Sequence, residues 1–184
     1  GYMYATSFMH RDNRQLAKVR AILEDIMLYA DDRVREYALS KIPLAWYFEA
    51  AEYHLSQQYD KALACYQNAL KGFIELRKAD DEISVLRHIA EIKGTLYDVI
   101  GSENAYKQAL SLSRQTGKSD AQMEILKELW KIGKTIGDVQ QAQAYAASID
   151  SLVDATSDLQ TKYTYYNQKG NEARDLGQYG IAEQ

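Results

Sequence analysis

The sequence predicts an all-α fold, an α-α superhelix in which antiparallel helix pairs stack as a solenoid with a period of about 40 residues. Three observations predict it. Residues that enter a helix at little cost are abundant, and the 184 residues include one proline. Apolar residues recur at spacings of three, four and seven, and the whole pattern repeats along the chain. Valine is scarce and the isoleucines do not alternate, so we expect no sheet.

Residues 1–42 are predicted to form an N-terminal helical segment. Leu16, Val19, Leu23 and Ile26 share one face of an amphipathic helix over residues 11–30. We interpret this helix as half of a preceding repeat. Residues 33–42 continue helically towards Pro43, where a helix starts or kinks, because proline is tolerated best in a first turn.

The clearest repeat occupies residues 43–82. Its first helix places a large residue, a small residue and a tyrosine on one face, and its second helix places two alanines and a tyrosine on one face. These residues are Trp46, Ala50 and Tyr53, then Ala62, Tyr66 and Ala69. Such spacings indicate two amphipathic helices joined by a turn.

Steps of 40 residues place further repeats at residues 83–122 and 123–162 and a truncated one at residues 163–184. Four columns mostly keep their residue class: Trp46, Leu86, Leu126 and Tyr166; Ala50, Ala90, Trp130 and Gly170; Tyr59, Val99, Val139 and Tyr179; Ala62, Ser102, Ala142 and Ala182. Ala109 stands in the same way to Ala69. Small residues let two helices approach closely, so Trp130 predicts a wider gap or a rotated helix in the third pair. Gly101, Gly137 and Gly177 are predicted to end helices.

The repeat of residues 43–82 resembles the tetratricopeptide repeat family, whose pattern its six repeat positions match. Glu49 stands where that family prefers leucine. The resemblance covers residues 43–184 and implies that the chain is a fragment of a larger tetratricopeptide protein. The family period is about 34 residues, and 40 is nearer to HEAT or armadillo arrays. We favour tetratricopeptide-like pairs with lengthened helices or linkers over HEAT.

Several function classes are disfavoured by composition and motifs. A net charge of -4 argues against direct nucleic-acid binding. No apolar run is long enough for a membrane span. Cys65, the single cysteine, is interpreted as a packing residue. The segment Gly117-Lys118-Ser119 lacks the earlier glycine of a phosphate loop and is interpreted as a helix boundary.

No catalytic, metal or cofactor site is predicted. The histidines His10, His54 and His88 lie far apart in the sequence, and none belongs to a recognisable ligand motif. His88 and Glu91 share a helix face and are interpreted as solvated. No nucleophile, base and orienting group occur together, so we predict that the protein is not an enzyme. Tyr163 and Tyr165 are candidate interface residues, because tyrosine combines apolar area with a polar group.

The first helices of such an array line a concave groove. The stripes of residues predicted to face it are Tyr47, Arg87, Lys127 and Asn167, then Lys131 and Asn171, then Lys134 and Arg174. The later half is basic and amide-rich, which suits an extended peptide that carries carboxylates. In the alternative interpretation, the three lysines form one solvated helix face.

The sequence therefore favours a non-catalytic scaffold that binds a protein or an extended peptide. An alternative is the sensory, N-terminal region of a bacterial signalling regulator, a histidine kinase or a helix-turn-helix transcriptional regulator, with the output domain outside this segment. A third hypothesis is a switch that binds a small signalling peptide. The compartment is undetermined: cytoplasmic, or extracytoplasmic if another segment anchors the chain to a bacterial membrane. Contact between copies through the truncated C-terminal pair is a further partner prediction.

Overall fold

A computed structural model describes residues 13–29 and 31–175. Within these ranges the chain forms eight α-helices and no β-strand, so the all-α prediction is confirmed. The helices are α1 Asn13–Tyr29, α2 Asp32–Leu55, α3 Tyr59–Glu75, α4 Ala79–Thr95, α5 Val99–Gln115, α6 Ser119–Ile136, α7 Val139–Ala155 and α8 Leu159–Asp175. Short turns join them, and consecutive helices pack as antiparallel pairs, as in a helical solenoid. The chain divides into an N-terminal unit, residues 1–121, and a C-terminal unit, residues 122–184.

Five successive turns use the same backbone conformation. Each has one residue with a positive φ, and these residues are 20 positions apart: Gln57, Arg77, Tyr97, Gly117 and Gly137. The next residue donates its N–H back into the last turn of the helix, as Asp98 N does to Lys93 O at 2.8 Å. This is the usual way in which a left-handed residue satisfies the carbonyls at a helix end.

The structure confirms helix ends at Gly117 and Gly137, whereas the prediction for Gly101 is wrong. Gly101 is the third residue of α5, and its N–H donates to Asp98 Oδ1 at 2.8 Å. Asp98 is thus the N-cap of the helix that the glycine was predicted to end. Gly177 lies outside the described residues.

The 40-residue period arises from the lengths of the helices. Each of α3, α4, α5, α7 and α8 has 17 residues, and three-residue turns separate α2 to α6. One helix and one turn therefore make 20 residues, and a pair makes 40. Of the two sources of extra length left open by the sequence, lengthened helices are the one observed.

No helix begins at Pro43. Helix α2 starts at Asp32, where Asp31 Oδ1 caps it by accepting from Val34 N at 3.0 Å, and it continues through the proline. Pro43 is buried, and a Cβ added to Gly72 of α3 would overlap its ring. The proline ring therefore takes the place of a longer side chain between α2 and α3. The repeat boundaries at residues 42, 82, 122 and 162 stay predictions.

The core of the N-terminal unit consists of the small and large residues of the repeat columns. Ala50, Ala62, Tyr66, Ala69, Ala90 and Ala109 are fully buried. Ser102, which stands in an alanine column, is also buried and donates its hydroxyl to Ala90 O at 2.8 Å. That bond satisfies the one polar group which the serine introduces between α4 and α5.

Glu49 is the departure from the family pattern, and the structure explains it. Its carboxylate is buried at 4% exposure and accepts from Arg20 Nε of α1 at 3.1 Å. The Arg20 guanidinium also lies 3.6 Å from the centre of the Trp46 ring, and Trp46 is half-buried beneath it. A leucine at position 49 would leave this arginine without its buried partner.

The C-terminal unit has an aliphatic core and one very close helix approach. Ile125, Leu126, Leu129 and Val153 are buried in α6 and α7. A Cβ on Gly133 would lie 3.3 Å from Ala142 Cβ, so α6 and α7 approach where both side chains are small.

In helix α8, Tyr166 is 43% exposed although its column is apolar and buried in the two preceding repeats, and its hydroxyl donates to Asp154 Oδ1 at 2.6 Å. Gly170 lies half-buried in the same helix. Ala182 and Tyr179 are outside the described residues, as is the second helix of the truncated pair through which contact between copies was predicted.

Candidate functional site

A cleft of about 270 Å³ opens in the C-terminal unit. Helix α6 contributes two lysines and a tryptophan, α7 contributes two apolar residues, and α8 contributes a tyrosine and a lysine. They are Lys127, Trp130, Lys131, Ala146, Ile149, Tyr165 and Lys169. The cleft thus combines an apolar floor with a basic rim.

The repeat register explains why the cleft forms in this pair. Forward steps of 40 residues from Tyr66 lead to Tyr106 and then to Ala146. Tyr66 and Tyr106 are buried rings on second helices, whereas Ala146 leaves space at that position. The large ring is instead Trp130, in the first-helix column that holds alanine in the two preceding repeats. The aromatic residue has therefore moved from the second helix to the first.

Carboxylates beside the cleft hold two of its three lysines. Lys131 Nζ lies 2.7 Å from Glu128 Oε1, and Lys169 Nζ lies 2.7 Å from Asp150 Oδ1. Tyr165 donates its hydroxyl to the same Asp150 oxygen at 2.8 Å. Partly exposed ion pairs of this kind contribute only about 0–1 kcal/mol, so a ligand carboxylate can replace the internal partner at small cost.

The predicted groove residues of this unit fall into three groups. Lys127 and Lys131 line the cleft and are exposed. Lys134 is exposed, and its ammonium lies 4.5 Å from the centre of the Trp130 ring, within range of a cation–π interaction. Asn167 is exposed on α8. Asn171 and Arg174 also belong to α8, and their side chains lie outside the described part of the chain.

Sequence reasoning missed most of the cleft floor and the lysine contributed by α8. Trp130 was noted only as an exception, and Ala146, Ile149 and Lys169 were not singled out. Extending the Tyr66 column to Ala146 would have revealed the space beside Trp130. Of the two candidate interface tyrosines, Tyr163 is exposed and Tyr165 is half-buried in the cleft wall.

The N-terminal unit places the other two predicted groove residues in different surroundings. Tyr47 is half-buried, and its hydroxyl lies 3.2 Å from His88 Nε2. Arg87 lines an open hollow of about 490 Å³ together with Asp80 and Lys118. Lys118 forms an ion pair with Asp80 at 2.9 Å. Helix α6 begins at Ser119, so the segment Gly117-Lys118-Ser119 lies at a helix boundary, as interpreted from the sequence.

Two histidines and a glutamate come together on α2 and α4. One potential ligand atom from each of His54, His88 and Glu91 lies within 4.8 Å of the other two. His88 Nδ1 is 3.0 Å from Glu91 Oε2, and the Tyr66 ring stacks on the His88 ring at 5.3 Å and 16°. The interpretation of His88 and Glu91 as simply solvated is wrong, because they bond to each other beside a buried ring.

The electrostatics of this cluster favour neutral imidazole beside ionised carboxylate. Burial lowers the pKa of His54, and the neighbouring His88 lowers it further. The hydrogen bond from His88 lowers the pKa of Glu91, with smaller contributions from nearby positive charge. At neutral pH, His54 therefore presents a lone pair and Glu91 a negative charge.

Cys65 is buried in α3, and burial raises the pKa of its thiol to about 11. At neutral pH it is therefore a protonated thiol. This agrees with its interpretation as a packing residue.

The fold and the cleft define a helical-repeat protein. No protein-family model matches the sequence, and no curated protein is similar enough to count as a relative. The crystal structure of BtubC (BKLC) from P. vanneervenii is similar to it, with a TM-score of 0.60 and 17% sequence identity. The match covers 98% of this chain and 82% of that one. At this identity the similarity shows the fold alone. None of the described helices is long and apolar enough to cross a membrane.

Proposed function

We propose that this protein is a non-catalytic scaffold of the tetratricopeptide type, which binds an extended acidic segment of a partner protein. The cleft of the C-terminal unit is the observation that carries the proposal, because it places lysines around an apolar floor. An acidic peptide with one large apolar side chain has the complementary chemistry.

The size of the cleft favours a side chain over a small-molecule ligand. Pockets for drug-sized molecules usually enclose about 300–1,000 Å³ and bury most of the ligand. The cleft has about 270 Å³ and is open to solvent on one side, so it is suited to a single anchoring residue. Trp130 and Tyr165 supply the rigid aromatic area on which such anchors usually pack.

The charge of the rim is local, because the protein as a whole carries a net charge of -4. Lys127, Lys131 and Lys169 are therefore the groups that would attract an acidic segment to this face. Lys134, Asn167, Asn171 and Arg174 extend the proposed contact along the first helices of the same unit. In the N-terminal unit, Tyr47 and Arg87 stay predicted contact residues.

Cys65 and the polar cluster support the non-catalytic part of the proposal. The only cysteine is buried as a protonated thiol, and His54, His88 and Glu91 are engaged with aromatic rings and with one another. Structural similarity to BtubC is consistent with this role, since it concerns a helical fold of the same kind.

The test uses Trp130 as its own reporter. Trp46 is the other tryptophan, so the Trp46→Phe variant leaves a single indole, located in the cleft. Titration with a short peptide of four glutamates around one phenylalanine should change its fluorescence and give a saturable curve. Replacing the glutamates by glutamine, or the phenylalanine by alanine, should weaken binding at least about tenfold, the equivalent of about 1.4 kcal/mol.

Two variants separate charge from shape. Lys127→Glu with Lys131→Glu should weaken binding at least about tenfold, since two attractive charges become repulsive. Lys18→Glu with Lys71→Glu, at exposed positions of α1 and α3, makes the same change in net charge and should leave affinity within about twofold. Ala146→Tyr should block the cleft without altering charge. Equal affinities in the cleft and control variants would refute the proposal.

A further inference from the structure

We propose that His54, His88 and Glu91 form a binding site for a transition-metal dication of the Zn²⁺ class in the N-terminal unit. The proposal is independent of the cleft in the C-terminal unit. It rests on the geometry of three side chains that α2 and α4 bring together.

The donor set has the right chemistry for such an ion. Imidazole nitrogen suits Zn²⁺, Cu²⁺, Fe²⁺ and Ni²⁺, whereas Mg²⁺ and Ca²⁺ prefer oxygen donors throughout. Two histidines and one carboxylate are a recurrent ligand set for zinc and for non-haem iron, and they leave further coordination positions open. The site would therefore be expected to keep a water or to accept one outside ligand.

The observed distances require little movement for binding. Nitrogen and oxygen ligands at about 2.0–2.1 Å from a tetrahedral ion lie roughly 3.3 Å apart. His88 Nδ1 and Glu91 Oε2 are already 3.0 Å apart in a hydrogen bond, so an ion can replace the shared proton with a shift of a few tenths of an ångström. His54 has to close a gap of at most 4.8 Å, and it is half-buried one residue before the end of α2. A side-chain adjustment at a helix end is sufficient for this.

The surroundings of His88 resemble the outer shell of a metal site. Its Nε2 lies 3.2 Å from the Tyr47 hydroxyl, and Tyr66 stacks on its ring. With Nδ1 on the ion, Nε2 would carry the proton and donate it to that hydroxyl, which fixes the tautomer and the ring orientation. Tyr47 is thus a positioning residue in this proposal, and Tyr66 holds the imidazole plane.

The experiment is a calorimetric titration of the chain, freed of any affinity tag, with zinc chloride, and a parallel titration with cobalt chloride followed by visible absorption. We expect one ion per chain, an increase in thermal midpoint on zinc addition, and the cobalt absorption of a nitrogen and oxygen site. His54→Gln and Glu91→Gln should each lower affinity at least about tenfold, and Tyr47→Phe should lower it by about tenfold or less while shifting the cobalt spectrum.

Two controls keep the result decisive. His10→Ala removes the remaining histidine of the sequence and should leave zinc affinity within about twofold. His54→Gln and Glu91→Gln alter residues outside the buried core, so their metal-free thermal midpoints should stay close to that of the parent. An equal loss in His10→Ala and His54→Gln, or unchanged affinity in Glu91→Gln, would overturn the assignment.

Discussion

In the N-terminal unit the large ring of each repeat column lies on the second helix, at Tyr66 and Tyr106, and alanine occupies the corresponding column of the first helix. In the C-terminal unit the arrangement is reversed, with Trp130 on the first helix and Ala146 on the second. The first arrangement buries the ring completely or nearly so, whereas the second leaves a cleft beside it. One register therefore accommodates either a filled core or a binding cavity, depending on which helix carries the ring.

The two units also differ in how they satisfy another core column. Position 49 is glutamate, and steps of 40 residues lead to Ile89 and Leu129, which are buried and apolar. The first repeat can bury a carboxylate because α1 supplies Arg20. The N-terminal unit thus depends on a polar contact where the C-terminal unit depends on aliphatic packing.

The largest expected effect comes from giving the N-terminal unit the residue of the C-terminal one. Glu49→Leu leaves the Arg20 guanidinium largely buried without its partner, and we expect a loss of about 2–4 kcal/mol in the free energy of unfolding. Urea unfolding followed by Trp46 fluorescence in a Trp130→Phe background measures it.

The double variant Glu49→Leu with Arg20→Met is the control. Methionine keeps apolar contact with the Trp46 ring and removes the unpaired charge, so most of the lost stability should return. If Glu49→Leu alone were neutral, the contrast between a polar and an aliphatic column would have no energetic meaning.

A smaller effect is expected where glycines allow helices to approach. Alanine normally stabilises a helix interior by about 1 kcal/mol relative to glycine. In Gly72→Ala the new methyl overlaps the rigid Pro43 ring, so we expect a net loss of about 1–2 kcal/mol. Thermal unfolding followed by circular dichroism measures the change.

Gly133→Ala is the matched variant in the C-terminal unit. Its Cβ would lie 3.3 Å from Ala142 Cβ, which is tight but short of overlap, so gain and cost should cancel to within about 1 kcal/mol. A greater loss in Gly133→Ala than in Gly72→Ala would show that the closer approach is between α6 and α7.

The smallest effect concerns the left-handed turns. Tyr97 has φ 62° and is 91% exposed, so Tyr97→Gly removes backbone strain and sacrifices little packing. We expect a gain of about 0.5–1 kcal/mol after the greater freedom of glycine in the unfolded chain is counted. Urea unfolding with an unchanged slope measures it.

Gly137→Ala tests the same turn position at the other end of the series. It has φ 78° with open space around it, so any loss reflects backbone conformation alone. We expect a loss of about 1 kcal/mol. A loss from Tyr97→Gly together with no change in Gly137→Ala would contradict the shared turn geometry.

The sequence was sufficient for the helices, the period and the ends of helices at Gly117 and Gly137. These depend on short-range chemistry, since apolar spacing defines the face of a helix and glycine relieves a left-handed residue. Gln57, Arg77 and Tyr97 adopt the same conformation without glycine, because the helix pairing on either side determines it. No local signal identifies such positions.

The candidate sites were harder to predict because they depend on contacts between helices. Lys127 and Lys131 follow from the period of one helix, whereas Lys169 reaches the cleft only through the packing of α8 beside α7. His54 and His88 are 34 residues apart and meet through the pairing of α2 with α4. Periodicity specifies which face of a helix is apolar, but it does not specify which residue of another helix lies opposite.

The 20-residue spacing of the left-handed turns has a consequence for how such a chain can grow. A segment cut at two alternate turns, such as residues 78–117, contains one helix pair with both of its turns in phase. Tandem duplication of such a segment would add a pair without changing the conformation of any existing turn, and deletion would remove one. Thr156, with φ -72° and ψ 144°, departs from the series, so a segment that ends there would lack the joint needed for the next copy.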